Sequence, residues 1–153
     1  MSLTIILPIH NEKESLPIMI RLLNSTLKID HEIIAVYEDD KDNAKTIGQE
    51  LMKEIKEFKI IKNKYERGVR FSIQTGIDFA KYDTIFITAV DEIFPIISIE
   101  AMYQEIIIKN YDFVSGTRYS KGGARLGGSI IGSRKFYITE EKLMKKKFLK
   151  SPR

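Results

Sequence analysis

Residues 3–11 read LTIILPIHN and residues 12–27 continue EKESLPIMIRLLNSTL. The apolar run from Leu3 to Ile9 suits a strand buried on both faces of a parallel sheet, because alternation would be required if one face met water. Asn11 then stands where a helix cap is wanted, and Leu16, Ile20, Leu23 and Leu27 recur at helical spacing. Pro17 is compatible with that helix only near its first turn. Working outward, Ile33 to Tyr37 repeats the buried-strand pattern, and the acidic loop Glu38 to Asn43 leads to an amphipathic helix around Thr46 to Phe58. Ile60-Ile61 marks a short third strand, Gly68 to Ala80 a helix, and Thr84 to Val90 a fourth strand. Pro95 and Ser98 open a helix through Ile108, and Asp112 to Ser115 reads as a fifth strand. Strand and helix alternate throughout. The expected fold is α/β, a single doubly wound, mostly parallel sheet flanked by helices.

The composition agrees with that class and narrows the function. The chain has 153 residues, 43% hydrophobic and 30% charged, enough for one domain with a real core. It has no cysteine, so disulfides, thiolate metal sites and cysteine nucleophiles are excluded, and a reducing, cytoplasmic compartment is expected. No apolar run approaches the ~20 residues that cross a bilayer. The net charge of +4 is unevenly placed: residues 134–153 carry eight Lys or Arg and two Glu, leaving 17 basic and 19 acidic residues before them. A slightly acidic body argues against nucleic-acid binding. The sequence therefore divides into a domain over 1–133 and a basic tail over 134–153. The tail is either solvated or, through its interleaved Phe, Tyr, Leu and Met, peripheral to an anionic membrane surface.

Ligands of doubly wound sheets bind beyond the carboxyl ends of the strands. His10, Asn11 and Glu12 follow the first strand; Glu38, Asp39, Asp40 and Asp42 the second; Asp91 and Glu92 the fourth. After the fifth come Gly116, Thr117, Arg118 and Tyr119, then a glycine-rich stretch to Gly132. Acids at two strand ends and a basic, glycine-rich loop at a third point to a nucleotide diphosphate bridged by a divalent metal, with Arg and backbone N–H groups on phosphate oxygens. There is neither a Walker phosphate loop nor GxGxxG after the first strand, which disfavours the ordinary mono- and dinucleotide folds.

Five fragments in order, TIILPIHNEKESL (4–16), VYEDDKDNA (36–44), RGVRFSIQTGIDFA (67–80), Asp91 to Pro95 and SGTRYSKGG (115–123), resemble the family 2 glycosyltransferases of the GT-A fold, in particular enzymes similar to dolichyl-phosphate mannose synthase. That resemblance implies an inverting transfer of a hexose from a nucleotide sugar, GDP- or UDP-linked, to a polyprenyl phosphate, with Mg²⁺ or Mn²⁺ as cofactor. By the same resemblance Pro8, His10, Asn11, Glu12, Glu38, Asp40, Arg67 and Gly68 would bind the nucleotide sugar. Arg118, Tyr119, Lys121 and Arg125 would meet phosphate or acceptor, Asp91 and Glu92 would hold the metal, and Asp91 and Arg118 would be catalytic. The chain departs from the pattern at two places. In the register set by Pro95, Thr88 and Val90 occupy the positions of an Asp-Ala-Asp motif, and the residues after Ser133 do not resemble the family. Both departures suit an alternative, a truncated or metal-site-deficient GT-A domain that binds nucleotide or a partner without turnover.

Overall fold

A computed structural model describes residues 2–116 and 136–140. The element order is β1 (Ser2–Ile9), α1 (Ser15–Thr26), β2 (Asp30–Tyr37), α2 (Ala44–Glu54), β3 (Phe58–Lys62), α3 (Val69–Phe79), β4 (Thr84–Ile87), a 3₁₀ turn (Phe94–Ser98), α4 (Ile99–Lys109), β5 (Phe113–Gly116) and β6 (Phe136–Glu140). The sheet order is β3-β2-β1-β4-β6-β5. β1 pairs in parallel with β2 and β4, and β2 in parallel with β3. The expected parallel, doubly wound core is therefore present in four strands.

Strand alternation decides which face each helix covers. Leu3, Ile5, Leu7, Ile33, Ala35 and Phe86 join Leu16, Ile20, Leu51, Met102 and Tyr103 in the larger apolar cluster, which places α1, α2 and α4 on one face. Ile6, Ile85 and Ile87 point the other way and pack against Ile77 of α3, with Ile73 and Ala80 alongside. The fit there is close: a Cβ built on Gly76 would stand 2.5 Å from Ile6 Cγ2, so only glycine lets α3 approach β1 at this point. Phe71 is only half-buried, and Ser72 and Thr75 are the buried residues of that turn. At the amino edge of the sheet Glu32 is buried; its carboxylate accepts from Thr4 Oγ1 at 2.8 Å, from Lys59 Nζ at 3.1 Å and from Lys81 N–H, so one acid joins four segments.

Three expectations change. Asn11 does not cap α1; it takes a left-handed backbone (φ 59°) two residues after β1, and the helix begins at Ser15, behind Glu14. The fifth strand, found at Phe113–Gly116, does not lie against β4. That edge is filled by Phe136–Glu140, antiparallel to both β4 and β5. Residues 136–140 were expected in the tail, where eight basic residues dominate the count, yet the run FYITE is aromatic and β-branched and is well suited to a strand. Residues 141–153 lie outside the described residues.

Candidate functional site

In the order β3-β2-β1-β4 the chain steps outward from β1 to β3 and then returns to the other side of β1. That reversal separates the loops after β1 and β4 and opens a crevice at their carboxyl ends, the usual place for a ligand in such a sheet. β2 flanks the crevice on one side. Gly116 pairs with Phe136 at the same edge on the other, so the connection 117–135 leaves and rejoins the sheet there. Arg118, Tyr119, Lys121 and Arg125, all in that connection, lie outside the described residues.

The loop after β2 is the organiser of this edge. Asp42, buried, accepts Asn11 N–H at 3.2 Å and Ala44 N–H at 2.9 Å, tying the turn after β1 to the start of α2. Asn43 and Asn11 reinforce the tie: Lys13 N–H donates to Asn43 Oδ1 at 3.1 Å, and Asn43 N–H to Asn11 Oδ1 at 3.4 Å. In the other direction Glu38 accepts Gly68 N–H at 2.8 Å and Ser72 Oγ–H at 3.4 Å, with Arg67 Nε 3.5 Å from its second oxygen. Gly68, at φ 126°, immediately precedes α3. Glu38 thus places a carboxylate at the positive end of that helix, where free N–H groups favour an anion.

Asp40 is exposed and engaged by Lys45 Nζ at 2.7 Å and by Lys62 Nζ, which hold its carboxyl down at about 2 from an ordinary 3.8. Asp39 accepts Lys41 N–H at 2.9 Å and stands 3.5 Å from Arg67 Nη2. Pro8 is half-buried and in register with Val36, His10 and Asn11 are exposed beyond β1, and Glu12 is half-buried. The structure therefore brings Asn11, Glu38, Arg67 and Gly68 into one bonded array around the ends of β1 and β2, with Asp40 at its margin.

Sequence reasoning passed over Asn63, which builds the loop before Gly68. Its buried amide accepts Tyr65 N–H at 3.0 Å and Thr75 Oγ–H at 2.9 Å and donates to Glu66 O at 2.8 Å. An Asn just past a short strand is a turn signal, and it was available. Beyond β4, Thr88 N–H still donates to Ile6 O at 3.3 Å. Thr88 and Val90 are both buried, and the Thr88 hydroxyl has no hydrogen-bond partner among the described residues. Asp91 is exposed and Glu92 half-buried in the turn that follows.

The model for glycosyl transferase family 2 matches residues 4–151. The chain belongs to that family. A dolichol-phosphate mannosyltransferase of Pyrococcus furiosus is 28% identical to this family 2 domain over 124 residues, 80% of this chain and 35% of that protein. The chain thus spans about a third of that relative's length. S. aureus TarS 1–349 superposes with a TM-score of 0.70 at 13% identity, covering 99% of this chain and 50% of that one. Glucosyl-3-phosphoglycerate synthase from Mycobacterium tuberculosis, in complex with Mn²⁺, UDP and phosphoglyceric acid, gives a TM-score of 0.67 at 11% identity, covering 93% and 56%. Likeness at such identities carries the GT-A fold.

Whether this family 2 domain can hold a divalent ion is a question for its own donors. Among the described residues no three His, Asp or Glu side chains stand together as an ion's ligands. The strand end offers a buried hydroxyl and a buried isopropyl group at positions 88 and 90, and the carboxylates nearest to it in sequence are Asp91 and Glu92 in the turn that follows.

Two outcomes test the loop. Glu38→Ala should lower stability by about 1 kcal/mol in denaturant titration, as loss of a helix cap does, whereas Glu38→Gln keeps a carbonyl acceptor and most of the stability. Equal loss for both would reject the capping role. In a carbon-detected NMR titration Asp40 should ionise near 2, and Lys45→Ala should move its midpoint up towards 3.8. Because its folded value is depressed, whatever stability the ion pairs contribute is present above 3.8 and is lost as pH falls through about 2.

Proposed function

We propose that this domain binds a nucleotide-activated hexose, GDP- or UDP-linked, in the crevice between β1 and β4 and transfers the hexose to a polyprenyl phosphate of the dolichyl type. The observation that carries the reading is the 28% identity with a dolichol-phosphate mannosyltransferase across 80% of the chain, inside a family match over residues 4–151. The array around Asn11, Glu38 and Gly68 supports it, since it fixes three loops at the edge where a nucleotide would lie.

The chemistry asks little of a general base. A phosphate monoester is already anionic at neutral pH, so its oxygen can attack the anomeric carbon directly. The new C–O bond forms on the face opposite the leaving group, the bond from the anomeric carbon to the diphosphate breaks, and the nucleoside diphosphate departs with the electron pair and an inverted product remains. What the protein must supply is orientation and positive charge near the departing diphosphate. Arg118, in the fragment SGTRYSKGG, is the residue we assign to that charge, because a guanidinium grips phosphate through two parallel N–H donors.

The reaction is tested by incubating the chain with GDP-mannose or UDP-glucose and a short polyprenyl phosphate, and following hexosyl lipid by mass spectrometry. Product with one donor is the expected result. Arg118→Lys should lower transfer at least tenfold while donor binding persists, since charge is kept and the bidentate contact is lost. Donor binding with no lipid product would establish instead a binding domain without turnover.

With such an acceptor the reading extends to a peripheral position on a cytoplasmic membrane face. No helix among the described residues is long and apolar enough to cross a membrane. Residues 141–153 carry six Lys or Arg against one Glu, interleaved with Leu143, Met144, Phe148 and Leu149. A deletion of 141–153, which keeps β6, should lose most of the binding to anionic vesicles that the full chain shows at low salt. Undiminished vesicle binding by the deletion would dismiss the tail as the attachment.

A further inference from the structure

We propose that Asn63 and Asp78 are positioning residues for the donor site, holding the loop between β3 and α3 so that Arg67 stands beside Glu38 and Asp39. The inference deepens the nucleotide-sugar reading above and rests on it.

Arg67 does not owe its place to its own ion pairs. Its side chain is 75% exposed, and its nitrogens stand 3.5 Å from Glu38 and from Asp39, a separation at which a solvated pair contributes little. The backbone has to hold it. On the far side of Arg67 that backbone is secured by Gly68 N–H, which donates to Glu38 at 2.8 Å. On the near side the chain runs from Asn63 to Glu66, and of these four residues only Asn63 is buried.

Two layers of contacts tie the near side down. Asn63 forms the inner one: its N–H donates to Tyr37 O at 2.8 Å, at the end of β2, and its amide accepts Tyr65 N–H and donates to Glu66 O, the carbonyl next to Arg67. Thr75 of α3 orients that amide by donating to Asn63 Oδ1 at 2.9 Å, and it also accepts Lys64 N–H at 3.2 Å. Asp78, one turn further along α3, forms the outer layer. One carboxylate oxygen accepts Tyr65 Oη–H at 2.6 Å and stands 2.7 Å from Lys64 Nζ, while the other accepts Gln74 Nε2–H at 3.0 Å. The Lys64 ammonium lies 5.1 Å from the Tyr65 ring centre and 5.4 Å from that of Phe79, so two aromatic faces also confine it. Burial pushes the Asp78 carboxyl up, but the donors from Lys64, Tyr65 and Gln74 outweigh it and hold the group below its ordinary 3.8. None of this is needed to keep α3 on the sheet. Gly76 and Ile77, packed against Ile6, do that.

The test is calorimetric titration of the full chain with GDP and with UDP, in buffer containing MnCl₂, for the wild type, Asn63→Asp, Asp78→Ala, Arg67→Ala and each of the first two combined with Arg67→Ala. The expected result is that each single change weakens the Kd about fivefold or more with the binding stoichiometry kept, and that in the Arg67→Ala background Asn63→Asp and Asp78→Ala weaken it by less than about twofold further. Asp78 lies outside the core, so Asp78→Ala decides the matter should Asn63→Asp fail to fold. An equal loss with and without Arg67, a fall in stoichiometry at unchanged Kd, or wild-type binding by Arg67→Ala or by Asp78→Ala would each overturn the proposal while leaving the nucleotide reading intact. No binding of either nucleotide by the wild type would overturn the nucleotide reading itself, and this proposal with it.

Discussion

The acidic turn between β2 and α2 is the constraint on which the upper edge of the molecule depends. A parallel sheet gives its strands hydrogen-bonded neighbours but leaves the loops beyond them to find their own partners. Here Asp42 reaches back to Asn11 and Glu38 reaches forward to Gly68, so the loops after β1, β2 and β3 are bonded as a unit. The unusual backbone conformations fall at the two points of attachment: Asn11 at φ 59° and Gly68 at φ 126°. Each turns an N–H towards a carboxylate on the β2 loop, which is why a run of acids can sit at a strand end without mutual repulsion dominating.

This arrangement changes what the acids do for function. Clustered carboxylates at a strand end invite assignment as ligand contacts, but a carboxylate that caps a helix or holds a turn acts on a ligand mainly through the backbone it positions. Glu38 is the clearest case: it occupies the α3 terminus where an anion would otherwise be favoured. The interior of the sheet there is apolar core to which Val90 still belongs, interrupted just past β4 by the buried Thr88 hydroxyl.

The winding of the sheet was legible because its signals are local and periodic. Leu3 to Ile9 and Ile33 to Tyr37 are apolar on both faces, and only a strand covered on both sides by helices makes sense of that. The placement of β6 was not legible, because strand pairing at long range leaves no periodic trace and the five residues FYITE sit within a run dominated by lysine. The candidate site was legible as a set of loops, since the rule that ligands gather at carboxyl ends needs only the strand order. The bonding within it was hidden: nothing in the sequence distinguishes buried Asp42 from exposed Asp40 two residues earlier, although one anchors two backbone N–H groups and the other is held by two surface lysines.

The antiparallel insertion of β6 has a structural consequence for the edge. With β6 between them, β4 and β5 keep the same direction, so β5 ends and β6 begins at the carboxyl side. A connection between antiparallel neighbours can be as short as two residues, yet nineteen residues join Gly116 to Phe136. Loop closure penalises such length only slowly, and a connection far longer than the turn requires is commonly a functional one. Its sequence is basic and glycine-rich, and it springs from the same edge as the bonded array of acids and N–H groups. β6 thereby fixes the carboxyl edge, beside Gly116, as the place where the chain re-enters the sheet at Phe136.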